Sequence, residues 1–274
     1  MTVETADFTY ISTLVGERSA IVLAPEKSYL VESRLAPLAR DLGLPGIGGL
    51  VEQLRRTRDR TLENKVVEAM TTNETSWFRD VHPFEALKNV ILPDVLERNA
   101  TTRSLRIWSA ASSTGQELYS VAMLLDTEFP QLATWSVDLL GTDLSTEVVA
   151  KAREARYSGL EVNRGLPAPL LVKYMEREGR DFRVTQKLRD RCRFEELNLI
   201  GRWPPRPLFD VVLLRNVLIY FDVEVKRRIL EQVRGVLRPG GYLLLGAAET
   251  TLGVVDGYTP VSSAGSVVYR SKER

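Results

Sequence analysis

From Phe209 the chain reads Phe-Asp-Val-Val-Leu-Leu-Arg-Asn-Val-Leu-Ile-Tyr-Phe-Asp, ending at Asp222. The apolar run Val211 to Leu214 stops at Arg215-Asn216, and a second apolar cluster, Val217 to Phe221, follows at once. An uninterrupted apolar run between polar flanks suits a strand buried on both faces of a parallel sheet, because a half-exposed strand would alternate. Such a strand puts Arg215 and Asn216 at its carboxyl end, where open α/β sheets bind ligands. Taken alone, the stretch reads equally well as a buried strand with a polar turn and no ligand.

The segments around it extend the pattern. Leu105 to Ala110 reads as a strand, Gln116 to Glu128 as a helix, Val137 to Thr142 as a second strand and Thr146 to Arg156 as a helix. Phe209 to Leu214 is followed by a helix over Val223 to Leu237, which Pro239-Gly240-Gly241 ends before a strand from Tyr242 to Gly246. Val261 and Val267 to Arg270 supply late strands. Strands separated by helices of this length imply a doubly wound, mostly parallel α/β sheet. Between Gly159 and Arg193 the alternation pauses, which marks an inserted subdomain over about residues 159–195.

Residues 8–70 differ in style. Phe8, Ile11, Leu14 and Val15 recur at helical spacing, as do Leu30, Leu35, Leu38 and Leu42, and no segment alternates like a strand. Gly43-Leu44-Pro45-Gly46 interrupts the periodicity before it resumes over Leu50 to Arg60. The expected organisation is an all-helical domain over 1–70, a linker over 71–104 and a sheet domain over 105–274.

Composition narrows the function. A net charge of +1 gives no global field for nucleic acid. No apolar run approaches the roughly 20 residues that span a bilayer, and the first residues lack a signal-peptide pattern, so the cytoplasm is the expected compartment and no membrane insertion is expected. The single cysteine, Cys192, excludes an internal disulfide and a cysteine-based zinc site, and the single histidine, His82, excludes a histidine-rich metal site; no metal is expected.

After the first sheet strand the turn is Ala110-Ala111-Ser112-Ser113-Thr114-Gly115-Gln116-Glu117. Small residues let a ligand approach the backbone, and the helix that begins there presents free N–H groups. A dinucleotide fold wants three glycines in this loop; Gly115 stands alone, which argues against a pyrophosphate and permits a smaller, partly cationic ligand. Glu117 has two readings: a ligand contact, or an acidic residue favoured by the helix dipole. Asp143, at the end of the second strand, is placed to accept both hydroxyls of a ribose. Its other reading is the N-cap of the next helix, a task that Ser145 can take instead.

Read together, these segments resemble the chemotaxis receptor methyltransferases, the CheR family, over nearly the whole chain. The strongest piece is Thr71-Thr72-Asn73-Glu74-Thr75-Ser76-Trp77-Phe78-Arg79-Asp80. The others are Ser113 to Ser120, Gly141-Thr142-Asp143, Asn198-Leu199, Arg215 to Asp222, Leu237 to Gly241 and Gly246-Ala247-Ala248-Glu249. The resemblance implies a methyltransferase sheet that uses S-adenosylmethionine, with S-adenosylhomocysteine as product. It implies glutamate side chains on the cytoplasmic domain of a methyl-accepting chemoreceptor as substrate; the protein is expected to be a monomer. It places Asn73, Thr75, Arg79, Glu117, Asp143, Asn198, Leu199, Arg215 and Asn216 around the cofactor, with Tyr220 and Arg79 beside the reacting groups. Gln116 stands where many members have glutamate, Leu118 where many have proline, and Leu214 where cysteine is frequent.

The chemistry so implied agrees with the composition. A glutamate with a pKa near 4.3 is already an anionic nucleophile at neutral pH, so scarcity of histidine is no handicap. Trp77, Phe78, Tyr220 and Phe221 read either as walls of a dry pocket or as core. Between Glu161 and Arg193 nine Lys or Arg stand against five Asp or Glu, a surplus that suits an acidic partner or a plain solvated face. Two further functions share these features: a small-molecule methyltransferase on the same sheet, and a cofactor-binding sensor or scaffold without catalysis.

Overall fold

Four helices, α1 (Thr5–Ser19), α2 (Ser28–Asp41), α3 (Gly46–Thr57) and α4 (Arg60–Met70), bury one apolar stripe each in the computed structural model, which describes residues 3–263 and 265–272. The stripes are Ile11, Leu14 and Val15; Val31, Leu35 and Ala39; Leu50, Val51 and Leu54; and Leu62, Val66 and Met70. Each recurs at three or four residues, so a single helix face is removed from water. The stripe on α2 is centred differently from the leucine pattern: Val31 and Ala39 are fully buried, whereas Leu42 lies past the helix end and is exposed. Left-handed residues end two of the helices, Ala20 after α1 and Arg58 after α3, and the Asp59 carboxylate caps α4 by accepting from the Thr61 N–H at 2.8 Å. These helices and Tyr220–Val225 form one compact unit of the chain.

The second unit holds Asn73–Ile219 and the chain from Lys226 onward. Its first part corrects the expected linker. Residues 82–98 are helical: α5 (His82–Ala86), a π-turn over Leu87–Ile91 and α6 (Leu92–Arg98). Phe84, Leu87, Ile91, Leu92 and Val95 are buried in the same core as the sheet, and the non-helical parts are two short stretches, residues 71–81 and 99–103. Phe84, Leu87, Ile91 and Val95 recur at helical spacing across this stretch.

The sheet alternation follows: β1 (Ser104–Ala110), α7 (Gln116–Glu128), β2 (Ser136–Asp143) and α8 (Thr146–Glu154). An inserted three-stranded antiparallel sheet comes next, built from β3 (Arg156–Ser158), α9 (Gly159–Asn163), α10 (Ala168–Tyr174), β4 (Met175–Glu178), β5 (Asp181–Val184) and α11 (Gln186–Arg189), in the order β3-β5-β4. The main sheet resumes with β6 (Cys192–Glu196), β7 (Phe209–Leu214), α12 (Val223–Val236), β8 (Leu237–Leu245), β9 (Tyr258–Ser263) and β10 (Ser266–Ser271). The insertion therefore starts earlier and stops earlier than composition indicated. Arg156 already belongs to it, and Cys192–Glu196 is an edge strand of the main sheet, disguised by its charges because one flank of an edge is wet. The strand after Pro239 also begins sooner than expected, pairing Leu237 with Phe209 across an irregularity.

Strand order in the main sheet is β6-β2-β1-β7-β8-β10-β9, with the first five parallel and the last two antiparallel. The chain winds outward from β1 in one direction and from β7 in the other, so the order reverses between them. Register brings the carboxyl ends level: Ala110 faces Thr142 on one side and Leu214 on the other, and Leu214 faces Leu245. All six residues of β7 are buried, as a doubly covered parallel strand requires. The insertion is tied to α7 by Asp126. Its carboxylate meets Lys187 at 2.6 Å, Arg191 at 3.4 Å and Lys173 at 3.8 Å, and accepts from the Tyr174 hydroxyl at 2.8 Å. Burial pushes the Asp126 carboxyl up, but the Lys187 and Tyr174 hydrogen bonds and the nearby cations outweigh it and hold the group below the usual carboxylate range. Among the described residues no helix is long and apolar enough to cross a membrane.

Candidate active site at the carboxyl ends of the parallel strands

The loop after β1 is held in a costly conformation. Ala111, Ser113 and Gly115 have φ of 60°, 49° and 93°, so alternate residues lie in the left-handed region. Hydrogen bonds fix them. The Ser112 N–H donates to the Thr142 carbonyl at 2.8 Å, the Ser113 N–H to Asp143 Oδ2 at 2.8 Å, and the Ser113 hydroxyl to the Asn73 carbonyl at 2.8 Å. At Gly115 a side chain is excluded twice, by φ and by Ala152 and Phe194, whose atoms would lie 3.0 and 3.1 Å from an added Cβ. Tyr157 donates its hydroxyl to the Thr114 carbonyl at 2.7 Å; complete burial raises its pKa well above the ordinary value, so it remains a donor.

Glu117, in the first turn of α7, is not a solvated residue placed there by the helix dipole alone. Its Oε1 accepts from Ser109 Oγ at 2.7 Å and its Oε2 from Arg215 Nη1 at 2.8 Å. The Arg215 side chain is only 1% exposed. Its Nη2 donates to the Arg79 carbonyl and to Asp80 Oδ2, both at 2.8 Å. Arg215 therefore ties three segments together: the 73–80 motif, the start of α7 and the end of β7. Arg79 enters this network through its backbone, while its own guanidinium donates to the Glu74 carbonyl at 2.9 Å. The neighbouring carboxylates are engaged elsewhere: Asp80 pairs with Arg215, and Glu85 accepts from Asn89 at 3.0 Å.

Asp143 is buried at the end of β2. Its two carboxylate oxygens accept from the Ser113 and Ser145 N–H groups at 2.8 and 3.1 Å, and Ser145 is the N-cap of α8, accepting from the Val148 N–H. Asp143 thus orders the β1 loop from the neighbouring strand. Asn198 and Leu199 follow β6; the Asn198 side chain accepts from the Ile200 N–H at 3.1 Å, and the Leu199 carbonyl from the Trp203 indole at 3.2 Å. Asn73 reaches the same loop through its carbonyl, and Thr75 is half-buried in the same motif. Asn216 adopts φ 59° directly after Arg215. Tyr220, in the 3₁₀ turn Leu218–Tyr220, groups with the helical unit, where its carbonyl accepts from the Val22 N–H at 3.1 Å. Trp77 is core, edge-on to Tyr157 at 5.0 Å between ring centres, and Phe78 packs on Phe84 at 5.1 Å.

Asp80 and Ser112 stand inside quoted segments of the sequence without a place assigned to them around the strand ends. Asp80 lies next to Arg79 in sequence but pairs with Arg215, 135 residues away. Ser112 Oγ and Arg215 Nε are buried polar atoms without a protein partner, both close in sequence to strand ends. Such orphaned donors and acceptors carry a cost that a ligand removes.

Residues 73–265 match the family described as CheR methyltransferase, SAM binding domain, and residues 6–71 match CheR methyltransferase, all-alpha domain. Chemotaxis protein methyltransferase 1 of Pseudomonas aeruginosa is 42% identical over 99% of this chain and 100% of its own length. Chemotaxis protein methyltransferase Cher2 of Pseudomonas putida is 38% identical over 97% of this chain and 98% of its own, and a chemotaxis protein methyltransferase of Vibrio parahaemolyticus is 37% identical over 99% of each.

Proposed function

The chain belongs to the CheR methyltransferase family, and we propose that it transfers a methyl group from S-adenosylmethionine to glutamate side chains on the cytoplasmic domain of a methyl-accepting chemoreceptor, giving glutamyl methyl esters. The observation that carries the reading is the convergence of Glu117, Asp143 and the Arg215–Asn216 turn on the level carboxyl ends of β1, β2 and β7, within a domain that matches an S-adenosylmethionine-binding family. That is where an open α/β sheet holds its ligand.

The residues present fit the cofactor. Orphaned Ser112 Oγ and Arg215 Nε offer hydrogen-bonding capacity inside the fold. Gly115 is the N-cap residue of α7, so the first N–H groups of that helix lie at the end of the loop after β1. Each carboxylate offers about four acceptor sites, so Glu117 can accept further donors beyond Ser109 and Arg215. When bound, S-adenosylmethionine supplies an electrophilic methyl group on a positively charged sulfur. We assign Asp143 to the ribose, and Asn73, Thr75, Arg79, Glu117, Asn198, Leu199, Arg215 and Asn216 to the remaining surface of the site. The assignment of Tyr220 beside the reacting centre rests on its place in the Arg215–Asp222 motif.

The chain's own share of the work is positioning and water exclusion. The substrate carboxylate is ionised at neutral pH, so no residue has to remove a proton. Holding two reactants in line contributes up to roughly 7–11 kcal/mol in intramolecular analogues. The costly φ values at Ala111, Ser113 and Asn216 are consistent with such preorganisation.

Incubation with methyl-labelled S-adenosylmethionine and a purified receptor cytoplasmic fragment tests this. Base-labile label on the receptor is the expected result, because esters hydrolyse in alkali. Tight binding of S-adenosylhomocysteine with no label on the receptor, or with base-stable label, would overturn it.

A further inference from the structure

Glu249 stands just beyond β8, and four backbone N–H groups converge on its carboxylate. Oε1 accepts from Val217 at 2.9 Å and Leu218 at 2.7 Å; Oε2 accepts from Asn216 at 2.8 Å and Gly246 at 2.6 Å. Three of the four donors belong to the turn after β7, 31 to 33 residues earlier in the chain. We infer that Glu249 is a positioning residue of the methyltransferase site: it fixes the Asn216–Leu218 turn, and through that turn the Asn216 side chain, in the conformation that receives the cofactor.

Stoichiometry separates positioning from direct contact. A carboxylate has about four acceptor sites, and four N–H donors occupy them. Glu249 has no acceptor capacity left for a ligand, so any effect on the cofactor passes through what it holds. What it holds is under tension, since Asn216 adopts φ 59°, a conformation that costs a non-glycine residue free energy unless the surroundings impose it. Consecutive N–H groups turned toward one side form a concave anion site, and here the chain fills that site with its own carboxylate.

Gly246 shows how closely the parts fit. A Cβ there would lie 2.7 Å from Glu249 Oε2, 2.8 Å from Asn216 Nδ2 and 2.9 Å from the Asn216 N, so no side chain is accommodated between clamp and turn. Leu214 and Leu245, the last residues of β7 and β8, face each other in the ladder. The clamp therefore bridges two adjacent strand ends on the side of the sheet that carries Arg215.

The inference rests on the assignment of Asn216 to the cofactor site, and its test does not use a receptor, so its failure is separable from failure of the substrate assignment. Calorimetric titration with S-adenosylhomocysteine is carried out on the full chain, its Glu249→Gln and Asn216→Ala variants and the double variant, at a temperature where each is folded by circular dichroism. Glu249→Gln keeps the shape but turns an NH₂ group toward converging donors, and it is expected to weaken binding about tenfold or more. The effects are expected to be non-additive: once Asn216 is Ala, removing Glu249 costs little more. Gly246→Ala attacks the same cradle from the other side and is expected to weaken binding while retaining the carboxylate, which keeps the test open should Glu249→Gln fail to fold. Unchanged affinity in a folded Glu249→Gln or Gly246→Ala protein overturns the inference, and so does full additivity with Asn216→Ala.

Discussion

Replacing Arg215 by Met removes a cation buried at the strand ends while nearly preserving side-chain length. The magnitude follows from what stays behind. Glu117 is 12% exposed and keeps only its Ser109 hydrogen bond, so its charge becomes a buried anion without a partner. Breaking a buried pair by removing one member costs about 3–5 kcal/mol. The Asp80 side of the network adds little, because Asp80 is 42% exposed and surface pairs contribute roughly 0–1 kcal/mol. All four tryptophans, Trp77, Trp108, Trp135 and Trp203, lie in the sheet unit, so intrinsic fluorescence in a urea titration reads that unit directly. With a slope of about 2–3 kcal/mol per M, Arg215→Met is expected to lower the midpoint by about 1–2 M. Adding Glu117→Gln removes the stranded charge and is expected to restore about 2 kcal/mol of the loss, because deleting both partners is far less damaging than deleting one. A single variant within about 1 kcal/mol of the parent would falsify the account of Arg215 as a compensated buried cation. A double variant no more stable than the single one would refute the part assigned to Glu117.

Asp143→Ala is expected to weaken S-adenosylhomocysteine binding by about 1–3 kcal/mol in calorimetry, the scale of a lost charged hydrogen bond, and equal affinity in a folded variant removes Asp143 from the ribose. Tyr220→Phe is expected to lower methyl transfer to a receptor fragment more than it lowers cofactor affinity, and turnover equal to the parent would take the hydroxyl out of the mechanism. Asp126→Asn is expected to cost about 1–3 kcal/mol of stability at pH 7. The folded-state pKa of Asp126 lies below its unfolded value, so this contribution is fully present above the unfolded pKa near 3.9 and fades as pH falls through the lower folded value. Denaturation of parent and variant should therefore converge in acid, and a gap that is constant from pH 7 to pH 2 contradicts the ion-pair origin.

Legibility in the sequence followed the physics of each element. Strands buried on both faces were plain, and Phe209–Leu214 was placed to the residue, because a strand covered by helices on both sides needs apolar side chains at successive positions. Cys192–Glu196 was invisible as a sheet strand: it lies on the edge, pairs only with β2, and reads as part of a charged insertion. The same insertion shows why a charge count is a poor guide to a surface. Arg164, Lys173, Arg183, Lys187, Arg191 and Arg193 each face a carboxylate, several on elements outside the counted stretch, so much of the apparent surplus is internally compensated. The candidate site residues stand out as polar types at strand ends, whereas their partners in the fold do not. Whether Asp143 caps a helix or holds a loop depends on a register that composition does not encode; Ser145 takes the cap and Asp143 takes Ser113.

The three carboxylates around the strand ends are neutralised in three different ways, and the difference sorts their roles. Glu117 is balanced by a buried guanidinium, with one hydrogen bond on each oxygen. That arrangement keeps a charge inside the fold and leaves lone pairs for a ligand. Asp143 accepts from one backbone amide of the β1 loop, Ser113, and one of its own segment, Ser145, so its charge is coupled to the conformation of that loop. Glu249 is saturated by four amides and has become part of the scaffold. A reaction that joins a cationic methyl donor to an anionic side chain gains from an environment whose own charges are already compensated and fixed, because nothing then has to reorganise as the reacting charges vanish. The sheet ends here are arranged in that way, with each of these three anions met by a donor supplied from a distant part of the chain.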